Sequence, residues 1–380
     1  MTSNTFSNRF TLVVDCNWLL QSRFSVLSKG FIKSNPDRIK EHAKEELRDL
    51  LARSINVILN RFSAIDNIVL VEDGGSWRKR IQVTDTIGEV DYKSNREEER
   101  NKSEFDWSLI FSVLDDLAKT ASALGITVTR DYEIEGDDWC WYWSKLLNSK
   151  GINCLIWSSD CDLKQLTHYD PDNATYTVWY NDKNGVWIPE SLKDDSNDID
   201  FFMKPQPDNQ VLEDIKRKSK STTYFNPDQI VIKKTICGDA GDMVMPCIRY
   251  RKGNRVYGVG SKDYEKLIKE LNINTLTDFF EKIDKVIDWL LFQKKYKGLG
   301  ISKDSLKNRL RENLRLVWLS KSSYPKDILE KMDKMKDKYN VFDISYIKSN
   351  YRCLVPEDTN EIENIFEESE IGTDNDDLPF

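Results

Sequence analysis

The sequence predicts an α/β fold: a mainly parallel central sheet flanked by helices, followed by a helical C-terminal region. Three observations carry this reading. Short apolar, β-branched runs alternate with stretches of helical spacing through the first 160 residues, the pattern of strands joined by crossover helices. Those runs end at or just before acidic residues. Beyond residue 226 the apolar spacing is mostly helical.

The first strand is FTLVVD at residues 10–15, and a helical stretch follows at about 36–61. A second strand, NIVLVED, covers 67–73. A charged stretch of low apolarity runs from about 77 to 102, and residues 104–124 have helical spacing. GITVTR at 125–130 and GINCLIW at 151–157 are further strands, with a Trp-rich helix at 136–147 between them. Residues 175–188 (TYTVWYNDKNGVWI) alternate in polarity around Asn-Gly and predict a β-hairpin. Residues 191–225 are a polar excursion with a lysine run. A glycine-rich turn and a helix lie within 230–270, and 275–338 is mostly helical. The division is therefore 1–190 as an α/β domain, 226–356 as a helical region, and 357–380 as a flexible acidic tail.

The net charge of −8 is concentrated at one end. Ten acidic residues and no basic ones lie from Glu357 onward, so residues 1–356 carry +2. Setting aside nine candidate ligand carboxylates as well leaves the body near +11. That balance suits a polyanion-binding metalloenzyme, although ordinary charge scatter gives similar totals. Seven cysteines without a C-x-x-C pair, and only two histidines, argue against zinc and for reduced thiols. The polar N-terminus gives no signal peptide, and no apolar run is long enough to cross a membrane, which predicts a cytosolic protein.

In open parallel sheets, ligands gather at the carboxyl ends of the strands. Asp15, Asp73, the group Glu135, Asp137 and Asp138, and the pair Asp160 and Asp162 all stand there; Asp239 and Asp242 form a further group. Any one of them alone reads as a turn or helix cap. Together they need a cation to neutralise their repulsion, and Mg²⁺ takes oxygen ligands.

These motifs, in order LVVD (12–15), EDGGSWR (72–78), DYKSNR (91–96), EIEGDD (133–138), SSDCDLKQL (158–166) and GDAGD (238–242), resemble the 5′-nuclease superfamily. That superfamily has a PIN-like fold and includes flap endonucleases, the 5′-exonuclease domain of bacterial DNA polymerase I and, nearest in pattern, T-even phage-type ribonuclease H. The resemblance spans residues 12–338 with a gap near 190–225. It implies two Mg²⁺ ions, replaceable by Mn²⁺. Asp15, Asp73, Glu135, Asp137 and Asp160 would hold the first ion. Asp162, Asp239 and Asp242 would hold the second, and Asp138 would bind through water. Gly136 stands where the family usually has Ala, and Met243 where it usually has Asn. The implied activity is 5′-to-3′ exonuclease, flap endonuclease and ribonuclease H-type primer removal in phage replication, by a monomer acting on DNA and RNA–DNA duplexes.

Lys93, Arg96 and Arg100 share one face if the segment is helical. By themselves they read as a solvated face; the resemblance makes residues 78–103 an arch over the active site. It makes these three the catalytic cations, with Lys93 on the scissile phosphate. It sets Tyr92 to stack on a base, and Arg78 and Lys79 on nearby phosphates. Gly258, Gly260 and Lys262 open a helix whose N–H groups would bind the duplex backbone within a helix–turn–helix-type element. Arg249, Arg251, Lys252 and Arg255 lie in a stretch longer and more basic than the family's short hairpin and would add non-specific contacts. Single-stranded-DNA-binding protein and a sliding clamp are the expected partners of the C-terminal region and tail. Two other readings remain: a PIN-like endoribonuclease, which needs neither arch nor duplex-binding unit, and a non-catalytic junction-binding protein, which would have lost acids.

Overall fold

The computed structural model describes residues 9–31, 42–81, 83–84, 89–96, 107–193 and 209–356. The run FTLVVD forms β1 (Phe10–Asp15), buried along its whole length. Its neighbours are β2 (Ile65–Val71) and, further along the chain, β6 (Asn153–Trp157), both parallel to it. A small antiparallel ribbon, β3 (Val83–Thr84) and β4 (Glu89–Val90), stands apart, and β5 (Thr127–Thr129) extends the sheet beside β2. The other flank holds β7 (His168–Asp170), β8 (Thr175–Asn181), β9 (Gly185–Pro189) and β10 (Thr222–Phe225). The order is β10-β9-β8-β6-β1-β2-β5, with β7 paired to β8. β8 and β9 are antiparallel, as the Asn-Gly signal predicts; the remaining pairs along the order are parallel.

Helices cover both faces, so the strands read as apolar without interruption. Alternate residues divide cleanly. Leu12, Val14, Ile68, Leu70, Leu155 and Trp157 face α1 (Cys16–Phe31), α2 (His42–Arg61) and α3 (Trp107–Ala123). Val13, Val69, Val71, Cys154 and Ile156 face α4 (Gly136–Ser149), with its Trp139 and Trp143.

The polar excursion holds more order than its composition suggests. α5 (Asn209–Lys218) buries Val211, Leu212 and Ile215 in the first of these cores, and β10 adds an edge strand. A lysine-rich outer face hides that short apolar stripe from sequence reading; residues 194–208 lie outside the described residues.

A third core joins α6 (Asp228–Cys237), the hairpin of β11 (Arg249–Lys252) and β12 (Arg255–Gly258), α7 (Ser261–Leu271), α8 (Leu276–Glu281), α9 (Ile283–Phe292) and α10 (Lys303–Val317). Buried Asn313 of α10 donates to the carbonyls of Thr235 and Met245, which ties α10 to α6 and to the loop after it. The end of the chain then returns to the sheet. Leu319, Tyr324 and α11 (Lys326–Asp333) complete the α4 face; Ile344, α12 (Ser345–Ser349) and Leu354 complete the opposite face. None of the helices is long and apolar enough to cross a membrane among the described residues.

Leu12 is fully buried on the central strand. Leu12→Ala removes buried methylenes and leaves a cavity, so it lowers the unfolding free energy by about 3 kcal/mol. Chemical denaturation measures this; a loss below about 1 kcal/mol would contradict the central position of β1.

Candidate metal centre

Asp15 ends β1 and Asp73 follows β2 by two residues; Asp137 lies in the first turn of α4, and Asp160 follows β6. All four line one cavity of about 450 Å³, together with Asn17, Lys93 and Arg96. Each is held from behind. Asp15 accepts from the Trp18 backbone at 3.0 Å and from Ser158 Oγ at 2.7 Å. The Gly136 N–H donates to Asp73 Oδ1 at 2.5 Å, while Asn17 Oδ1 accepts from the Asp73 N–H at 2.8 Å. Asp160 Oδ1 accepts from the Asp162 N–H at 2.8 Å, which turns both carboxylates toward one end of the sheet.

The glycines of EDGGSWR and EIEGDD have a steric cause. A Cβ on Gly74 would lie 1.7 Å from the Asp131 carbonyl oxygen, and one on Gly75 1.9 Å from that of Tyr132. Bare backbone lets the two motifs run together, joined by Gly74 N–H to Ile134 O at 3.1 Å and Trp77 N–H to Glu133 O at 2.8 Å. At Gly136 a Cβ would stand 2.9 Å from Asp73 Oδ1, so this glycine gives the ligand carboxylate its room.

A second group stands beside the first. Carboxylate oxygens of Asp162, Asp239 and Asp242 lie within 4.8 Å of one another. Lys234 of α6 places its ammonium between Asp162 and Asp239. Arg96 donates to Asp242 Oδ1 at 2.7 Å, and Lys93 contacts Glu135 and lies 3.8 Å from Asp242 Oδ2. Lys93 itself has φ 56°, a left-handed conformation that costs a non-glycine residue about 1–2 kcal/mol. Its N–H donates to the Asp242 carbonyl at 3.0 Å, which fixes that backbone over the second group. Met243, with φ 59°, occupies a conformation that Asn adopts more readily.

Electrostatics follow from this crowding. Burial, reinforced by Asp73, pushes the Asp15 carboxyl up to about 7. Desolvation and Asp160 likewise push Asp137 well above the usual carboxylate range. Desolvation and Asp160 raise Asp162 to about 6 despite Lys234. Burial also opposes ionisation of Glu135, but Lys93 and Arg78 outweigh it and bring that carboxyl down to about 2. A set of hard oxygen donors, several of them short of compensating charge, fits divalent cations such as Mg²⁺ or Mn²⁺. Asp15, Asp73, Asp137 and Asp160 would hold one and Asp162, Asp239 and Asp242 another, with Glu135 at the boundary.

Three expected side chains stand elsewhere. Arg78 is buried, not on a phosphate-facing surface: its guanidinium donates to Asp138 at 2.7 and 3.0 Å and to Glu135 at 2.8 Å. Asp138 is likewise enclosed, with Trp77 Nε1 as a further donor at 3.1 Å, so its oxygens face Arg78 and Trp77 rather than a metal-bound water. Tyr92 packs with Val231, Val244, Leu316 and Val317, and its hydroxyl lies 3.3 Å from both Glu135 and Asp242; its ring is not open to a base. Residues 92–94 form a turn and Asn95 and Arg96 are helical, so Lys93 stands outside the helix; the rest of the expected face, with Arg100, lies outside the described residues. Lys79, Gly260, Lys262, Arg251, Lys252 and Arg255 are exposed, and Gly258 is half-buried. Arg100 and the tail 357–380 lie outside the described residues.

Sequence reading missed Asn17, Ser158, Trp18, Trp107 and Lys234. Asn17 and Ser158 each lie two residues from a ligand candidate, a spacing that pointed to them. Lys234 looks like any helix lysine until the fold brings α6 against Asp162. Gln165 was also missed: its amide accepts from the Leu319 N–H and donates to the Val317 carbonyl, anchoring the turn that carries Asp160 and Asp162.

No family model and no curated protein matches the sequence. Solved structures do match. The T5 D15 protein co-crystallised with metal ions aligns over 87% of this chain and 100% of its own, at 16% identity and TM-score 0.51. The bacteriophage T5 D15 flap endonuclease in a pseudo-enzyme-product complex with DNA and metal ions aligns over 90% and 100%, at 18% identity and TM-score 0.51. The T5 5′-exonuclease with bound zinc aligns over 88% and 99%, at 16% identity and TM-score 0.52. At such identities the likeness is one of fold: the chain has the 5′-nuclease fold that its motifs predict.

Two outcomes test the site. The Asp15 carboxyl titrates near 7 when folded and near 3.8 as an ordinary group, so it binds more protons in the folded state. Its ionisation therefore removes stability as pH rises from about 4 to 7. Asp15→Asn raises the metal-free melting temperature at pH 8 and has a smaller effect at pH 5; equal effects at both would reject the cause given. Arg78→Ala leaves Asp138 buried and unpaired, and costs about 3–5 kcal/mol in denaturation. Weakened DNA binding with unchanged stability would instead make Arg78 a phosphate contact.

Proposed function

We propose that the protein is a divalent-metal-dependent 5′-nuclease that hydrolyses phosphodiesters at 5′ ends and flaps of DNA and RNA–DNA duplexes. One observation carries this: two carboxylate groups meet at the carboxyl end of a parallel sheet, with Lys93 and Arg96 reaching across both. Carboxylates alone would suit a structural cation. Cationic side chains beside them suit a polyanionic substrate whose charge rises during reaction.

Mg²⁺ ions bound by the two groups would activate water and neutralise charge on the phosphoryl oxygens. The chain's own residues do the rest. Ser158, Asn17 and the Gly136 N–H orient the carboxylates, and Arg78 fixes Glu135 through a buried ion pair. Lys93 and Arg96, which pair with Glu135 and Asp242, would turn to a phosphate where a bound metal neutralised those acids. Lys234 holds Asp162 and Asp239 together. Trp18 and Trp107 give the cavity an apolar wall beside its acidic floor. No Ser or Cys is needed as a nucleophile; the exposed thiol in the turn, Cys161, has no base aimed at it among the described residues. The wider reading, primer removal during phage replication, follows if RNA–DNA ends are cut as readily as DNA flaps.

The test is cleavage of 5′-labelled flap, nicked and RNA-primed duplexes with and without Mg²⁺, in the wild type and Asp160→Asn. Short 5′ products are expected only with metal. Asp160→Asn lowers the rate at least about 10²-fold while DNA binding persists. Binding without cleavage by the wild type would make the protein a junction-binding module. Cutting of single-stranded RNA with no action on duplexes would make it a PIN-like endoribonuclease.

A further inference from the structure

Asp160 and Asp162 flank the start of one short turn, Cys161–Leu166, and each serves a different carboxylate group. Their charges repel, so the turn has to be held against them. One restraint is Gln165, whose amide bonds the Val317 carbonyl and the Leu319 N–H. The side chain before it is a second. Lys164 is only 7% exposed, and it makes no ion pair among the described residues. Its ammonium lies 3.5 Å from the ring centre of Trp187 and 4.6 Å from that of Trp179. An ammonium is costly to bury. Leu163 and Leu166 of the same turn enter the adjoining apolar core, so packing alone does not call for a lysine here.

The two indoles belong to an aromatic ladder across the outer strands. Trp179 of β8 stands opposite Trp187 of β9 and meets it edge to face at 6.0 Å. Trp187 in turn meets Phe225 of β10 edge to face at 5.0 Å. Trp179 is fully buried, so the ladder is a fixed support. The backbone of Lys164 is fixed as well: its carbonyl accepts from the Thr167 N–H at 3.1 Å and from Thr167 Oγ1 at 2.8 Å. β8 also reaches the residues that lead into the turn. The Ser158 N–H donates to the Tyr180 carbonyl at 3.2 Å, and Asn181 Nδ2 donates to the Ser158 carbonyl at 3.3 Å. The flank of the sheet that bears no ligand candidate therefore grips the ligand turn on both sides of Asp160 and Asp162.

We infer that Lys164 is a positioning residue for the metal centre: its ammonium, caged by Trp179 and Trp187, pins the 161–166 turn to the outer strands and so holds Asp160 and Asp162 where divalent cations can bind them. The inference rests on the metal-dependent reading of the site for the identity of the ligand. A cation over indole faces is attracted electrostatically as well as by contact, so the tie is stronger than an apolar side chain of the same length would make. Lys164 lines neither the cavity nor the second carboxylate group; it acts through the two carboxylates that its turn carries.

The experiment is Mn²⁺ binding to the full-length protein, followed by the paramagnetic resonance of the free ion, with the metal-free melting temperature measured on the same samples. Wild type is compared with Lys164→Met, Lys164→Arg, Trp187→Leu and the double variant Lys164→Met/Trp187→Leu. Lys164→Met keeps the length of the side chain and loses its charge, and should bind Mn²⁺ about tenfold more weakly, as loss of a group supporting metal ligands does. Lys164→Arg should recover most of that affinity, because a guanidinium also stacks on an indole face. Trp187→Leu should weaken binding too, and the double variant should be no weaker than the weaker single variant, because both changes remove one tie. Unchanged Mn²⁺ affinity in Lys164→Met overturns the inference even where the melting temperature falls, since the side chain then only fills the core. So does a Lys164→Arg variant as weak as Lys164→Met, or a double variant in which the losses add. A wild type that binds Mn²⁺ and cuts no flap, with the loss in Lys164→Met intact, keeps the positioning role and removes the nuclease reading.

Discussion

Like charges brought within a few ångströms repel, and the architecture around this site is a means of holding carboxylates where they would not otherwise stay. The parallel sheet supplies the convergence, because β1, β2 and β6 run the same way and deliver their terminal acids to one edge. The surroundings supply restraint of two kinds. Donors such as Ser158 and the Gly136 N–H aim individual oxygens, and Arg78, sealed beneath with Asp138, supplies a permanent positive charge. Lys93, Arg96 and Lys234 are restraint of another sort, since each pairs directly with carboxylates of the site.

Distance along the chain between a side chain and its partner decides what sequence could and could not convey. Asp15, Asp73 and Asp160 stood out because each lies at or just beyond an apolar run, and a strand end is a local feature. The parallel sheet and its flanking helices followed from the same alternation, whereas the order of the strands came only with the fold. Arg78 and Tyr92 were misplaced because their neighbours are distant in sequence: Arg78 meets Asp138 60 residues on, and Tyr92 lies under Leu316 and Val317. Nothing in WRKR marks one of its three cations as buried. Of the i, i+3, i+7 pattern at 93–100, Lys93 departs from the helix, taking a left-handed turn whose N–H reaches the Asp242 carbonyl. Lys234 was invisible for the same reason in reverse, because only the packing of α6 against the turn at 161–166 reveals its partner.

Residues at 72–78 and 133–138 show a finer version of this dependence. The two motifs look independent in sequence, yet Gly74 and Gly75 exist to let one lie on the carbonyls of the other. The Trp77 and Arg78 side chains then cross to the first turn of α4. A family motif in this chain is therefore half of a contact, and its glycines are explained by residues some 57 positions away.

The path of the last 40 described residues has a consequence for biosynthesis. Tyr339 hydrogen-bonds Thr11 and Asn67, Asn340 and Phe342 bond Asn67 and Thr127, and the segments on either side complete the apolar layers on both faces of the sheet. The strands that carry the acids leave the ribosome first, but their cover arrives last. Domains made in order from the N-terminus commonly fold as they emerge; here the central strand also has a contact 328 residues further along the chain. A chain that stops short of these segments holds an incomplete core, so both faces of the sheet that carries the carboxylates gain their full cover only once residues 319–354 have been made.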